Sequence, residues 1–163
     1  MNARVLIIAL ISLLCIEAGW WSVGAGAGPT KSACDLLTVQ EVSKALNASV
    51  TIDQGASGPD GRDGDNCVWN AGAGRNVMLR VAPLGDMTKA KVAYMVETMN
   101  AYGGGKPAEE IKGLVDEAKY RDYTGTLKGG VFIGRTGTTI FTVEGSPNRD
   151  TLMGLVKVML PRL

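Results

Sequence analysis

Gly130-Val131-Phe132-Ile133-Gly134-Arg135-Thr136-Gly137-Thr138-Thr139-Ile140-Phe141-Thr142-Val143-Glu144 is the stretch on which the fold turns. Two runs rich in β-branched and aromatic residues flank a Thr-Gly pair, the pattern of a hairpin. A two-residue turn at Thr136-Gly137 pairs Phe132 with Phe141 and Ile133 with Ile140. Side chains alternate along a strand, so the two pairs point to opposite faces. A hairpin apolar on both faces belongs at the centre of a sheet, or under a second covering layer.

Other strands fall on either side of this hairpin. Residues 67–71 and 76–82 read as a second hairpin around Gly72-Ala73-Gly74, with Val77, Leu79 and Val81 alternating against Met78 and Arg80. Cys67 and Trp69 share a face, which places the indole in the core near the sulfur. A short strand is expected at 49–53. Residues 107–122 carry a helical set, Ile111, Leu114, Val115 and Ala118, but Gly113 counts against a helix. The reading is a turn at 114–117 and then a strand at 120–123.

Three helices complete the order. Thr38 and Glu41 have capping-box spacing, Leu37 and Val42 have staple spacing, and Asn47 is a left-handed stop. Asp86 caps a second helix over 87–101, whose Val92, Met95, Val96 and Met99 form a core stripe. Ser146 as N-cap and Pro147 at the first helical position open a terminal helix. Its apolar face is Leu152, Leu155, Val156, Met159 and Leu160, and Pro161 stops it. The sum is an α+β domain: a mainly antiparallel sheet of about five to six strands with about three helices packed on it.

The domain occupies 34–163, behind a leader at 1–27 and a linker at 28–33. Arg4, the apolar run from Val5 to Ile16 and the small residues Gly24-Ala25-Gly26-Ala27 follow the order of a secretory signal peptide. The apolar run falls short of the about 20 residues a spanning helix needs, so no integral membrane segment remains after cleavage. The expected location is periplasmic or extracellular; an uncleaved leader would leave the chain membrane-associated. The formal charge of +1 carries no footprint for nucleic acid.

Past the leader two cysteines remain, Cys34 and Cys67, with one possible pairing. In an exported chain a disulfide is the default. It closes a loop of about 34 residues, worth roughly 3–4 kcal/mol by chain entropy. The sequence has no histidine, which removes Ser-His-Asp and Cys-His systems, imidazole bases and the usual zinc sets. No cofactor or metal is expected. Asp60, Asp63 and Asp65 lie among Gly55, Gly58, Gly61 and Gly64, without the spacing of a calcium loop, and read as solvated turns. Gly103-Gly104-Gly105-Lys106 follows a helix and precedes Pro107, so it is not a phosphate loop. The pairs Glu109-Glu110 and Asp116-Glu117 read as exposed charge, because adjacent side chains point apart.

Ala33-Cys34-Asp35-Leu36-Leu37-Thr38, Cys67-Val68-Trp69, Gly113-Leu114-Val115-Asp116-Glu117-Ala118 and the late hairpin come in one order. This resembles the uncharacterised secreted and lipoprotein domains, common in actinobacteria, that begin Cys-x-Leu-Leu-Thr and continue with Cys-x-Trp. The resemblance covers about Ser32 to Leu163. It implies a compact α+β sandwich with a cysteine bridge, and no established enzyme activity or cofactor. Many members carry a lipobox cysteine; here Cys15 follows Leu14, where a small residue is wanted.

The expected function is a non-catalytic exported envelope or secreted domain that binds a protein, peptide or cell-wall component. The alternatives are a carrier of small apolar ligands and a histidine-independent hydrolase using Ser-Lys or carboxylates. If helices cover one sheet face, Val131, Ile133 and Ile140 remain open to a partner, bordered by Arg80 and Arg135.

Overall fold

A computed structural model describes residues 31–59, 65–83, 108–123 and 128–163. The leader expected at 1–27, the helix and methionine stripe expected over 87–101, Gly61, Gly64, Asp60, Asp63 and the Gly103–Lys106 segment lie outside the described residues.

The chain runs α1 (Ala33–Leu36), α2 (Val39–Leu46), β1 (Thr51–Ile52), β2 (Gly58–Pro59), β3 (Asp65–Asn70), β4 (Asn76–Pro83), β5 (Glu109–Glu110), β6 (Glu117–Asp122), β7 (Gly130–Thr136), β8 (Thr139–Gly145) and α3 (Arg149–Met159). A single 3₁₀ turn, Leu160–Arg162, follows α3. All strands pair antiparallel in one sheet, in the order β1-β3-β4-β8-β7-β6-β5, with β2 also on β3. The α+β architecture is the one expected. The strand number is higher, eight among the described residues, because β2 and β5 are two-residue edge pieces.

Edge pieces this short offer little template for further pairing. On the outer side of β3, Asp53 N–H bonds Val68 O at 2.8 Å, and Val68 N–H bonds the Ser57 hydroxyl at 2.9 Å. The serine stands where a neighbouring strand's carbonyl would be.

The β7–β8 hairpin is central, as its two-faced pattern requires. Its register differs from the expected one. Thr136 pairs with Thr139, Phe132 with Val143, Ile133 with Thr142 and Arg135 with Ile140. The turn residues are Gly137-Thr138, with Gly137 at φ +54°. A positive φ at the first turn position suits glycine and matches the twist of a hairpin. Asp116 holds that turn by accepting from Gly137 N–H at 2.8 Å, while the Arg135 guanidinium donates to Gly137 O at 3.0 Å. Each residue's partner moves by two positions, so every side chain keeps its face.

One face carries the main core: Cys67, Trp69, Val77, Leu79, Val81, Phe132, Phe141 and Val143, all buried, beneath α1 and α3. Trp69 is fully buried, as a core residue should be. Each such large side chain contributes about 1.5–3 kcal/mol by leaving water. From α3 come Leu152, Leu155, Val156 and Met159 of the stripe read from the sequence, while its fifth member, Leu160, falls in the 3₁₀ turn and is only partly buried.

The local signals of α2 are present in full. Glu41 N–H bonds Thr38 Oγ1 at 3.2 Å, Thr38 N–H bonds Glu41 Oε2 at 2.9 Å, and Asn47 sits at φ 48°, ψ 48°. Leu37 and Val42 are both buried. Helix α3 starts later than expected. Asn148, not Ser146, is its N-cap and accepts from Thr151 N–H at 3.0 Å. Ala33, read as the end of a linker, is the first residue of α1 and is buried. The Asp65 carboxylate accepts from its N–H at 2.6 Å, tying α1 to the start of β3.

Candidate functional site

The five residues read as a partner face are all present on the opposite side of the sheet, but they do not form an open surface. Val131, Ile133 and Ile140 retain 5%, 3% and 3% of their accessible area. Val131 and Ile133 form a second apolar cluster with Ala108 and Tyr123 packed against it. Arg80 is half-buried, opposite Asn66 and Thr142. Arg135 is taken up locally, with Nη1 3.3 Å from Asp116 and Nη2 3.1 Å from Glu117. The expectation of an exposed aliphatic face is therefore corrected: both faces of the hairpin are covered, the second alternative its two-sided pattern allowed. The same ion pairs give Asp116-Glu117 a structural role as a grip on Arg135. Glu109 likewise meets Arg149 at 2.6 Å.

The Cys34–Cys67 disulfide is formed, with Cα atoms 5.0 Å apart. It joins α1 to β3. Cys67 is fully buried in the core cluster with Trp69, while Cys34 is only partly covered.

Sequence reading missed a hollow of about 820 Å³ at one end of the sheet. Three segments distant in sequence build it: the β3–β4 turn and the start of β4, the residues around Tyr123 and Lys128, and the end of β8. The turn is closed by Ala71 N–H to Arg75 O at 2.9 Å and Arg75 N–H to Gly72 O at 3.0 Å. It brings Arg75 into the lining. Lys128 joins the lining from the segment just before β7, where Tyr123 N–H bonds Gly129 O at 2.8 Å. Met78 supplies an apolar wall.

The polar groups of the hollow divide into committed and unpaired ones. Tyr123 donates its phenol proton to Glu144 Oε2 at 2.9 Å. Burial, and then the Glu144 charge and this hydrogen bond, raise the phenol pKa above its ordinary value, so it stays protonated. The Ser146 hydroxyl accepts from Asn76 N–H at 3.0 Å and donates to Asn76 O at 3.3 Å. Ser146 N–H bonds the same carbonyl at 3.0 Å. Serine here clamps the end of β8 to the start of β4. By contrast, the Arg75, Lys128 and Asn76 side chains have no hydrogen bond or ion pair among the described residues.

Ser146 and Lys128 line one hollow, yet no hydrogen bond joins them, and the serine proton is already engaged. Glu144 is the one carboxylate of the lining among the described residues. A facing carboxylate pair for acid–base work is not present among these lining residues. A second tyrosine, Tyr120, is tied to Asp122 at 2.6 Å and lies under the Arg149 guanidinium, 5.7 Å from the ring centre. Burial first, then Asp122, raises its pKa too. This group braces β6 against α3.

No group of three or more His, Cys, Asp and Glu among the described residues could hold a metal ion, and no helix among them is long and apolar enough to cross a membrane. No protein-family model matches the chain, and no curated protein matches it.

Proposed function

We propose that the chain is an exported, non-catalytic binding domain that presents the strand-end hollow to a protein, peptide or cell-wall component outside the reducing cytosol. One observation carries this reading: among the described residues, the hollow's cations and a carboxamide are unpaired, while the hydroxyls of Tyr123 and Ser146 are committed to partners. Groups left without partners are suited to meet a ligand; groups held in place are suited to shape a site.

The disulfide and the leader support export to the periplasm or the medium. The resemblance of Cys34–Thr38 and Cys67–Trp69 to secreted and lipoprotein domains supports the same compartment. A near-neutral charge supports a partner other than nucleic acid.

The test is affinity capture from the cell-envelope fraction with the wild type and with Asn76→Trp. The indole would fill the mouth while leaving both cations and the backbone bonds to Ser146 in place. The expected result is a component recovered by the wild type and lost by the variant, with the two circular dichroism spectra superimposable. Equal recovery by both would remove the hollow as the binding site. Bound lipid detected by native mass spectrometry would replace this reading with an apolar-ligand carrier.

A further inference from the structure

The geometry points to a carboxylate-bearing peptide as the ligand of the hollow, held at its acid groups by Arg75 and Lys128. This rests on the binding reading above and narrows it to a ligand class.

The argument is charge and donor complementarity. Among the described residues the lining holds two cations against one carboxylate, and that carboxylate, Glu144, already accepts the Tyr123 phenol proton. Arg75, Lys128 and Asn76 line the hollow as exposed residues, and none of their side chains is bonded among the described residues. Arg75 offers a planar fork that matches a carboxylate, Lys128 a point charge, and Asn76 an amide donor. The side chain of Met78 and the glycine backbone around Gly74 and Gly145 give the rest of the wall an apolar, low-relief character that accommodates main chain.

The occupant is a peptide, not a lone small anion, for reasons of size and shape. About 820 Å³ of open hollow is several times what one carboxylate needs. The cations sit on separate segments, Arg75 on the β3–β4 turn and Lys128 before β7, so they suit acid groups spaced along a chain. A peptide threading between them places its backbone along Met78 and Asn76. Tyr123 and Glu144 are a fixed part of the lining because their hydrogen bond is internal and demands nothing from the ligand.

The experiment is a titration of the isotope-labelled, disulfide-bonded chain followed by ¹H–¹⁵N spectra. The probe is an acetylated and amidated hexapeptide of alternating Glu and Ala; the control is its Gln and Ala counterpart. A third peptide, with alanines throughout and a free C-terminal carboxylate, separates side-chain from terminal carboxylates. The expected result is saturable shifts at Arg75, Asn76 and Lys128 with a Glu or free-terminus peptide and none with the Gln peptide. Arg75→Ala combined with Lys128→Ala would weaken that binding by roughly ten-fold or more, and added salt would weaken the wild type. Equal shifts from the Gln peptide would overturn carboxylate recognition and leave the binding reading standing. The absence of saturable shifts with any of the three would overturn the inference itself, while the Asn76→Trp capture experiment judges the broader reading separately.

Discussion

The ring of Phe141 lies over Gly134, its direct partner across the β7–β8 ladder, and stacks beside Phe132 with centroids 6.1 Å apart and planes within 9°. A methyl group on residue 134 would enter that ring. The glycine is thus the space into which the aromatic pair packs, at the centre of the sheet. Phe132 and Phe141 are diagonal neighbours, still within aromatic reach.

Gly134→Ala is therefore expected to destabilise the fold by about 1–3 kcal/mol, the range for overpacking a core. Urea denaturation followed by near-ultraviolet circular dichroism measures it. An unchanged midpoint would mean that Phe141 can rotate away without loss.

Replacing Cys34 and Cys67 together by serine is expected to cost about 2–5 kcal/mol. A reducing agent should bring the wild type to the same midpoint as the variant. Wild-type protein isolated from its native compartment should show no titratable thiol at either position; free thiols at both would undo the case for export.

Ile133→Asp is expected to unfold the domain or weaken it by several kcal/mol, since it places a charge in the cluster with Val131, Ala108 and Tyr123. Thermal melting distinguishes this from a surface change. A fully stable variant would return Ile133 to the surface and restore the partner face.

Glu41 sets a pH dependence. Its carboxylate faces Arg162 in a two-pronged pair, Oε1 to Nη2 at 2.6 Å and Oε2 to Nη1 at 2.8 Å. The Arg162 hydrogen bonds are the main cause that lowers its pKa from 4.5 to about 2, with the Thr38 bonds adding to it. A depressed carboxyl pKa stabilises the fold above the unfolded value and is lost as pH falls through the folded one. Wild type should thus lose its advantage over Glu41→Gln between about pH 4.5 and pH 2. Equal acid profiles for the two proteins would show the pair to be without effect.

Ser146→Ala is expected to cost about 0.5–1.5 kcal/mol, through the lost hydroxyl contacts to Asn76. A serine-directed fluorophosphonate should leave the wild type unlabelled. Labelling at Ser146 would revive the histidine-independent hydrolase.

How far each part was legible depends on the range of the interaction that makes it. The α2 caps were readable because Thr38 meets Glu41 three residues away and Asn47 ends the same helix. Alternation at Val77, Leu79 and Val81 was readable because strand geometry has a period of two. The hairpin turn was misplaced by one residue. Thr136-Gly137 and Gly137-Thr138 satisfy the same local pattern, and the bond from Gly137 to Asp116, on a different strand, accompanies the second. Ser146 carries a capping signal, but Asn76 holds it and Asn148 caps instead. The hollow left no sequence signal at all, since its cations belong to separate segments.

The sequence alone determined the fold class, the pairing of Cys34 with Cys67 once Cys15 is assigned to the expected leader, and the apolar faces of its helices and strands. These follow from spacing along the chain, which local geometry converts directly into faces and caps. Only the tertiary structure decided which apolar faces are covered, where the β7–β8 turn falls, and that Arg75, Lys128 and Glu144 surround one hollow. Those outcomes depend on contacts between residues remote in sequence, and no periodicity records which remote surfaces meet.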